Sequence, residues 1–169
     1  VNVPEVDGNN IFHYESIPDQ IDYFFDIPYE CPKYIANVNK DGYGLLQTST
    51  RRLRARKLFS WGHNEGSDRW QHFLTEDAGP YIEIQAGLGK TQYGCLPMAP
   101  HTAWEWLEQY GPVQLPQTTS SQDNCQYIEQ HVSSEELERL LQTSASFAHQ
   151  KAAVVSSGST HGAMRNPVS

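Results

Sequence analysis

The amino-acid sequence predicts a mainly β protein, an antiparallel β-sandwich followed by an α-helical tail. Two observations carry this prediction. Residues 1–115 hold all four tryptophans and eight of the nine tyrosines, and glycine or proline interrupts them at short intervals, as in short strands joined by turns. Residues 116–169 contain instead a clear helical repeat of leucine and alanine. We therefore predict a β-sandwich portion over 1–115 and a helical tail with a flexible end over 116–169.

Five segments of the first part are predicted to be strands, since they are rich in β-branched or aromatic residues and are bounded by turn-forming residues. The pair Asp41-Gly42 marks a tight turn before the second of them, because aspartate and glycine adopt the backbone angles that such turns need. A short helix is predicted over 67–74, with Ser67 as its cap. The predicted strands are 22–27, 43–48, 54–61, 80–86 and 103–110.

The helical tail is predicted from its capping pattern and its leucine spacing. Ser133 and Glu136 form the pattern of a capping box, in which the serine hydroxyl accepts a hydrogen bond from the glutamate amide. Leucines and alanines then recur at helical spacing over 134–150. A shorter helix is predicted over 124–132.

Composition and charge exclude several function classes. The net charge is −8, so the chain is a poor general binder of nucleic acid or of an anionic membrane. The longest apolar runs are far shorter than the roughly 20 residues of a membrane span. Three widely spaced cysteines favour a reducing, cytoplasmic location. We expect no metal and no cofactor, since metal-ligand spacings and glycine-rich phosphate loops are missing from the sequence.

The run 51–57 contains five of the twelve basic residues. On a strand, Arg52, Arg54 and Arg56 would share one face. We interpret this run as a solvated strand face that pairs with carboxylates. A groove for an anion or a polar ligand is the second interpretation, and a nucleic-acid site is the least favoured.

Strand periodicity also groups the candidate functional residues. Glu83 and Gln85 share one side of a predicted strand, facing either solvent or a polar cleft, while isoleucines occupy the other side. Tryptophan rings stack on the apolar faces of sugars, although most tryptophans belong to a core. Trp104 and Trp106 would share a face with Glu108 and Tyr110, as a sugar platform or as the inner layer of a sandwich.

Several linked motifs resemble one known family. The sequence is similar, over residues 20–112, to a bacterial domain of unknown function that is often found in tetratricopeptide proteins and belongs to the galactose-mutarotase-like group. The segments that carry this resemblance are Phe-Asp-Ile-Pro at 25–28, Gly-Leu-Leu-Gln-Thr-Ser-Thr at 44–50, Arg-Lys-Leu-Phe-Ser-Trp-Gly at 56–62, Arg-Trp-Gln at 69–71, Tyr-Ile-Glu-Ile-Gln-Ala-Gly-Leu at 81–88, Thr-Gln at 91–92 and Trp-Glu-Trp-Leu-Glu-Gln-Tyr-Gly at 104–111.

The resemblance implies a β-supersandwich, two large curved antiparallel sheets packed face to face. That domain is considerably longer than this chain, and the match is to its C-terminal part. We therefore expect a fragment of a larger protein. Its open sheet edges would be covered by a homodimer or by an N-terminal portion that this chain does not contain.

The resemblance also implies carbohydrate binding and carbohydrate processing. Aldose 1-epimerases carry a late strand whose glutamate is the catalytic base, and Glu83 has a similar position here. In that mechanism a carboxylate removes the anomeric hydroxyl proton and an imidazolium protonates the ring oxygen. We predict Glu83 as the catalytic residue. The residues predicted to bind the sugar are Trp61, His63, Trp70, Gln85 and Gln92.

Three alternatives remain open from the sequence. The first is a sugar-binding module without catalysis. The second is a structural or protein-interaction domain that binds through a sheet edge or through the helix bearing Leu137 and Leu141. The third is a two-carboxylate glycosidase, for which Glu105 or Glu108 would supply the second acid.

Overall fold

The computed structural model describes residues 4–76, 78–116 and 120–155. Within them the chain forms antiparallel sheets and three α-helices, two of which follow the last strand. The fold class predicted from the sequence, mainly antiparallel β with a helical tail, is confirmed. The predicted flexible end from residue 156 onward lies outside the described residues. The elements are β1 (Glu5–Val6), β2 (Asn9–Asn10), β3 (Ile21–Asp26), β4 (Lys33–Val38), β5 (Tyr43–Ser49), β6 (Ala55–Ser60), α1 (Glu65–Thr75), β7 (Ile82–Gly87), β8 (Glu108–Gln114), α2 (Ser121–His131) and α3 (Ser134–Ala148).

Two three-stranded sheets make up the body of the protein. The first sheet has the order β3-β6-β7 and the second sheet has the order β4-β5-β8. The short strands β1 and β2 pair separately. Since β5 is central in one sheet and β6 is central in the other, the segment between them connects the two sheets.

Arg56 joins the two sheets at this connection. Its side chain leaves β6, is only 1% exposed, and donates to the Ser49 hydroxyl at the end of β5 over 2.7 Å. The same guanidinium donates to the carbonyl oxygens of Leu53 (2.7 Å) and Ala55 (3.0 Å). The interpretation of this basic run as a solvated face is therefore wrong for Arg56, because the connecting segment turns its carbonyls inward and needs an internal donor.

A second buried cation organises the preceding turn. The Lys33 ammonium is fully buried and donates to the carbonyl oxygens of Pro28, Tyr29 and Cys31 over 2.5–3.0 Å. These carbonyls belong to the segment between β3 and β4, and the ammonium holds them close together. Burial lowers the pKa of Lys33, and the three carbonyls supply the hydrogen bonds that water would otherwise make.

The C-terminal helices contact the second sheet and its neighbouring loop. Ser133 caps α3 by accepting from the Glu136 amide, as predicted. The backbone amide of Arg51 donates to Glu138 over 2.7 Å. The Tyr34 hydroxyl donates to Glu129 of α2, and burial raises the pKa of Tyr34. Among the described residues, every helix is too short or too polar to cross a membrane.

The last strand begins later than the sequence indicates. The predicted strand 103–110 is replaced by Glu108–Gln114, which pairs with β5 from Ser49 back to Tyr43. Leu107 marks the start of this pairing, because its amide and carbonyl both bond to Thr50. Residues 103–107, which precede β8, adopt no regular structure.

We expect the substitution Arg56→Met to lower the free energy of unfolding by about 3 kcal/mol, since buried acceptors lose their donor. Arg56→Lys is expected to recover little of this loss, because an ammonium does not reproduce the guanidinium fork. Urea denaturation measures both effects. Arg52→Met is the control, since Arg52 is exposed in the same segment, and it is expected to cost less than about 0.5 kcal/mol. Equal losses in the Arg56 and Arg52 variants would contradict the bridging role.

Candidate functional site

One side of the first sheet, which we call the outer face, carries most of the predicted site residues. Directly paired residues of neighbouring antiparallel strands point to the same side. Lys57 of β6 pairs with Phe24 and with Gln85, and Phe59 pairs with Asp22 and with Glu83. Arg56 points to the opposite side, toward the second sheet. The outer face therefore consists of Asp22, Phe24, Lys57, Phe59, Trp61, Glu83 and Gln85.

The outer face ends in an aromatic group at the top of β6, which we call the tryptophan end (Trp61, Trp70 and Phe73). Trp70 stacks on Trp61 with ring centroids 6.4 Å apart and an interplanar angle of 13°. Phe73 meets Trp70 edge-on at 5.9 Å. The Trp61 indole donates to the Tyr81 hydroxyl over 2.9 Å, which fixes its orientation. Trp70 remains 54% exposed, so its ring is available to a ligand.

The chain path after β6 explains why two distant tryptophans stack. Gly62 has a φ of +73°, and a Cβ at this position would lie 2.5 Å from the carbonyl carbon of Asp19. Asn64 then caps α1 by accepting from the Ser67 amide, so Asn64 rather than the predicted Ser67 begins this helix. The sharp turn brings the second turn of α1, with Trp70, back onto Trp61.

A central row of the outer face places two carboxylates on either side of one ring. Asp22 and Glu83 each pair in register with Phe59, from opposite neighbouring strands. Strands two positions apart are separated by about 9.5 Å, given a spacing of 4.7–4.9 Å between neighbours. Glu105 and Glu108 are the second acids predicted from the sequence, but Glu108 lies on the second sheet. Strand alternation alone could have placed Asp22 on a face, but only the register brings it opposite Glu83.

Lys57 connects the central row to the loop that follows β7. Its ammonium lies 2.6 Å from Asp22 Oδ1 and donates to Gln92 Oε1 over 2.8 Å. It also lies 5.6 Å from the ring centroids of both Phe24 and Phe59, within the range of a cation–π contact. Because the Lys57 side chain is mostly buried, this ion pair is screened less than a surface pair.

Glu83 itself faces solvent from the edge strand of the sheet. Its carboxylate accepts a hydrogen bond from Gln85 Nε2 over 2.9 Å. Both side chains are exposed, and the isoleucines that alternate with them are partly buried. The alternation predicted for this strand is thus confirmed, and the carboxylate and the amide are accessible together.

A second aromatic group, which we call the tyrosine end (Phe24 and Tyr93), closes the opposite end of the outer face. Tyr93 meets Phe24 edge-on with ring centroids 6.2 Å apart. Its ring is 76% exposed. The preceding residue, Gln92, is held by Lys57, so the loop is tied to the sheet at this point.

His63 occupies a different position from the other predicted residues. Its ring contacts Tyr14 edge-on at 4.5 Å, and its Nε2 lies 3.1 Å from the Tyr14 carbonyl oxygen. It borders a depression of about 610 Å³ that is also lined by Asn9, Glu15, Ser16 and Pro18. The structure therefore groups Trp61, Trp70, Glu83, Gln85 and Gln92 on the outer face, while His63 lies beside the N-terminal segment.

Of the four residues predicted to share a face, Trp106, Glu108 and Tyr110 are joined by hydrogen bonds at the start of β8, while Trp104 lines a depression against α3 together with Trp106. Glu108 accepts from the Trp106 indole (3.0 Å), the Tyr110 hydroxyl (2.7 Å) and the Gln47 amide (3.0 Å). The bond to Glu108 raises the pKa of the Tyr110 phenol. Since this carboxylate already accepts three hydrogen bonds, it has less capacity for a ligand than Glu83, which accepts one side-chain hydrogen bond from the described residues.

Comparison with known proteins gives no further assignment. No protein-family model matches the chain, and no solved structure matches its fold. The galactose-mutarotase-like membership expected from the sequence motifs therefore stays a prediction.

We expect Phe59 and Trp70 to differ strongly in their effects on stability. Phe59 is 8% exposed, so Phe59→Ala is expected to cost about 3 kcal/mol through the cavity that it leaves. Trp70→Ala is expected to cost about 1 kcal/mol, since only its ring contacts with Trp61 and Phe73 are lost. Urea denaturation of both variants compares them. A loss for Trp70→Ala as large as that for Phe59→Ala would mean that this indole belongs to the core.

Proposed function

We propose that the outer face of the first sheet binds a carbohydrate. The observation that carries this proposal is the combination of exposed rings with aligned polar groups on one surface. Trp70 offers a flat indole face, on which the C–H groups of a sugar ring pack. Glu83 and Gln85 lie on the same face, where a carboxylate and an amide can hydrogen-bond hydroxyl groups.

The charges of the outer face favour a neutral sugar. Asp22 and Lys57 form an ion pair and offset each other, which leaves the Glu83 carboxylate as the main charge of the central row. The chain as a whole carries a net charge of −8. A sulfated or strongly anionic polysaccharide would be repelled by this field.

The rigidity of the polar groups supports binding as well. Lys57 holds Gln92, and Tyr81 orients the Trp61 indole. A site whose side chains are already fixed loses less conformational entropy when the ligand binds. The outer face is therefore better suited to a ligand than a surface of unconnected exposed side chains.

A test is a ligand-observed NMR screen of the full chain against neutral mono- and oligosaccharides. Trp70→Ala is expected to weaken binding about tenfold or more, which corresponds to about 1.4 kcal/mol. Phe147→Ala is the control, since Phe147 is also an exposed ring and lies on α3, and it is expected to leave binding unchanged.

Two results would contradict the proposal. One is the absence of binding to any saccharide of the panel. The other is binding that Trp70→Ala and Phe147→Ala affect equally. The first result would favour the structural or protein-interaction alternative, for which the exposed Tyr43 and Leu45 on the second sheet offer an apolar surface. The second result would place saccharide binding outside the outer face.

A second candidate function is hydrolysis of a glycoside with inversion, and the central row favours it. Inverting enzymes hold two carboxyl groups about 6.5–9.5 Å apart. The backbones of the two strands that carry Asp22 and Glu83 are about 9.5 Å apart, so the two side chains start from a spacing near this range. The Lys57 ammonium lies 2.6 Å from the Asp22 carboxylate, which would act as the general base. As the oxygen of a water molecule bonds to the anomeric carbon, Asp22 would take a proton from that water molecule. The leaving oxygen needs a proton as the glycosidic bond breaks, and Glu83 would supply it after taking one up from solvent.

We expect any such activity to produce the inverted anomer, detected by proton NMR during turnover. Asp22→Asn and Glu83→Gln are each expected to reduce the rate at least about a hundredfold, the usual contribution of general acid or base catalysis. Glu105→Gln is the control, because Glu105 lies outside the outer face and pairs with His149. Product with retained configuration, or full activity in Asp22→Asn, would exclude this assignment.

A further inference from the structure

The outer face has two aromatic ends with a polar surface between them. Lys57 lies on β6 and Trp61 directly follows its last residue, so the two are four residues apart, which corresponds to about 13 Å at 3.3 Å per residue. Trp70 extends the tryptophan end through its stack on Trp61. Tyr93 extends the tyrosine end beside Phe24, whose strand pairs with Lys57.

This separation sets the size of the ligand. A single pyranose ring is about as large as one indole, so it covers one aromatic end and leaves the other empty. A linear oligosaccharide can place one ring on Trp70, another toward Tyr93, and the units between them over Glu83 and Gln85. We infer that the ligand of the outer face is an extended oligosaccharide that spans both aromatic ends, an inference that rests on the proposed carbohydrate binding.

The surface between the two ends supports the same ligand. Its exposed groups are polar, since Glu83 and Gln85 alternate with inward-facing isoleucines along β7. Gln92, which is held by the mostly buried Lys57, continues the polar surface toward Tyr93. Middle units of an oligosaccharide present hydroxyl groups at their edges, which such carboxylate and amide groups can bind. An apolar ligand of the same length would leave these polar groups without partners.

The two separate aromatic ends of the outer face also predict how affinity depends on the length of the oligosaccharide. Once one sugar ring is bound, the glycosidic linkages keep the rest of the oligosaccharide close to the second aromatic end. This raises the effective concentration of the remaining sugar rings there. Affinity should therefore rise steeply when the oligosaccharide becomes long enough to span both aromatic ends, and then level off. Tyr93 should matter only beyond that length, whereas Trp70 should matter at every length.

The test is a calorimetric titration of the full chain with the homologous series of a linear oligosaccharide that the NMR screen identifies, from the monosaccharide to the hexasaccharide. We expect affinity to rise about tenfold or more across the spanning length. Tyr93→Ala is expected to remove this rise and to leave the monosaccharide affinity unchanged, while Tyr93→Phe, which keeps the ring, preserves the rise. Tyr29→Ala, which removes a similarly exposed tyrosine of the β3–β4 turn, is the control and should leave the series unchanged.

The outcomes separate this inference from the proposed function. Binding that needs Trp70 but does not depend on the length of the oligosaccharide would overturn the inference of an extended ligand. It would leave the proposed carbohydrate binding in place. A rise with length that survives Tyr93→Ala would also overturn it. Failure of every saccharide to bind would remove the proposed function itself.

Discussion

The internal hydrogen bonds of Arg56 determine which side of the first sheet is available to a ligand. The guanidinium is almost fully buried, and its partners are the Ser49 hydroxyl and two carbonyls of the segment that links the sheets. Burial lowers its pKa to about 10, so it stays charged at neutral pH. Because Arg56 must point toward the second sheet, strand alternation turns Lys57 and Phe59 the other way. The outer face is a consequence of this one buried side chain.

The protein uses its buried cations in two different ways. Arg56 and Lys33 donate mainly to backbone carbonyls, so they fix the path of connecting segments where regular sheet hydrogen bonds end. Lys57 is paired with a carboxylate and supports a surface loop. Hydrogen bonds to its partners offset part of the cost of burying a charge, whereas removing the charge leaves those partners without a donor. The first two cations therefore belong to the architecture, and the third belongs to the outer face.

Local sequence patterns account for much of the fold and only part of the site. Alternation predicted β6 and β7, and the Ser133 cap predicted the start of α3, because these signals lie within a few residues of each other. Strand β4 was missed, since its side chains do not alternate clearly and Lys33 is an unusual residue to bury. The position of β8 depends on its partner β5 rather than on its own residues. Similarly, Asp22 and Glu83 lie in one row only because both strands pair in register with β6. Pairing between distant strands cannot be read from a local sequence pattern.

The turn at Gly62 has a consequence for how this sequence can change over generations. Trp70 and Tyr93 are exposed, so under the proposed function substitutions there would alter ligand binding more than folding. Gly62 touches no ligand surface, yet any side chain at this position would collide with the backbone of Asp19. A lineage that shifts toward a new ligand is therefore free to exchange Trp70 or Tyr93 for other residues. It must retain the small residue that brings α1 back onto the sheet, because every version of the surface depends on that path.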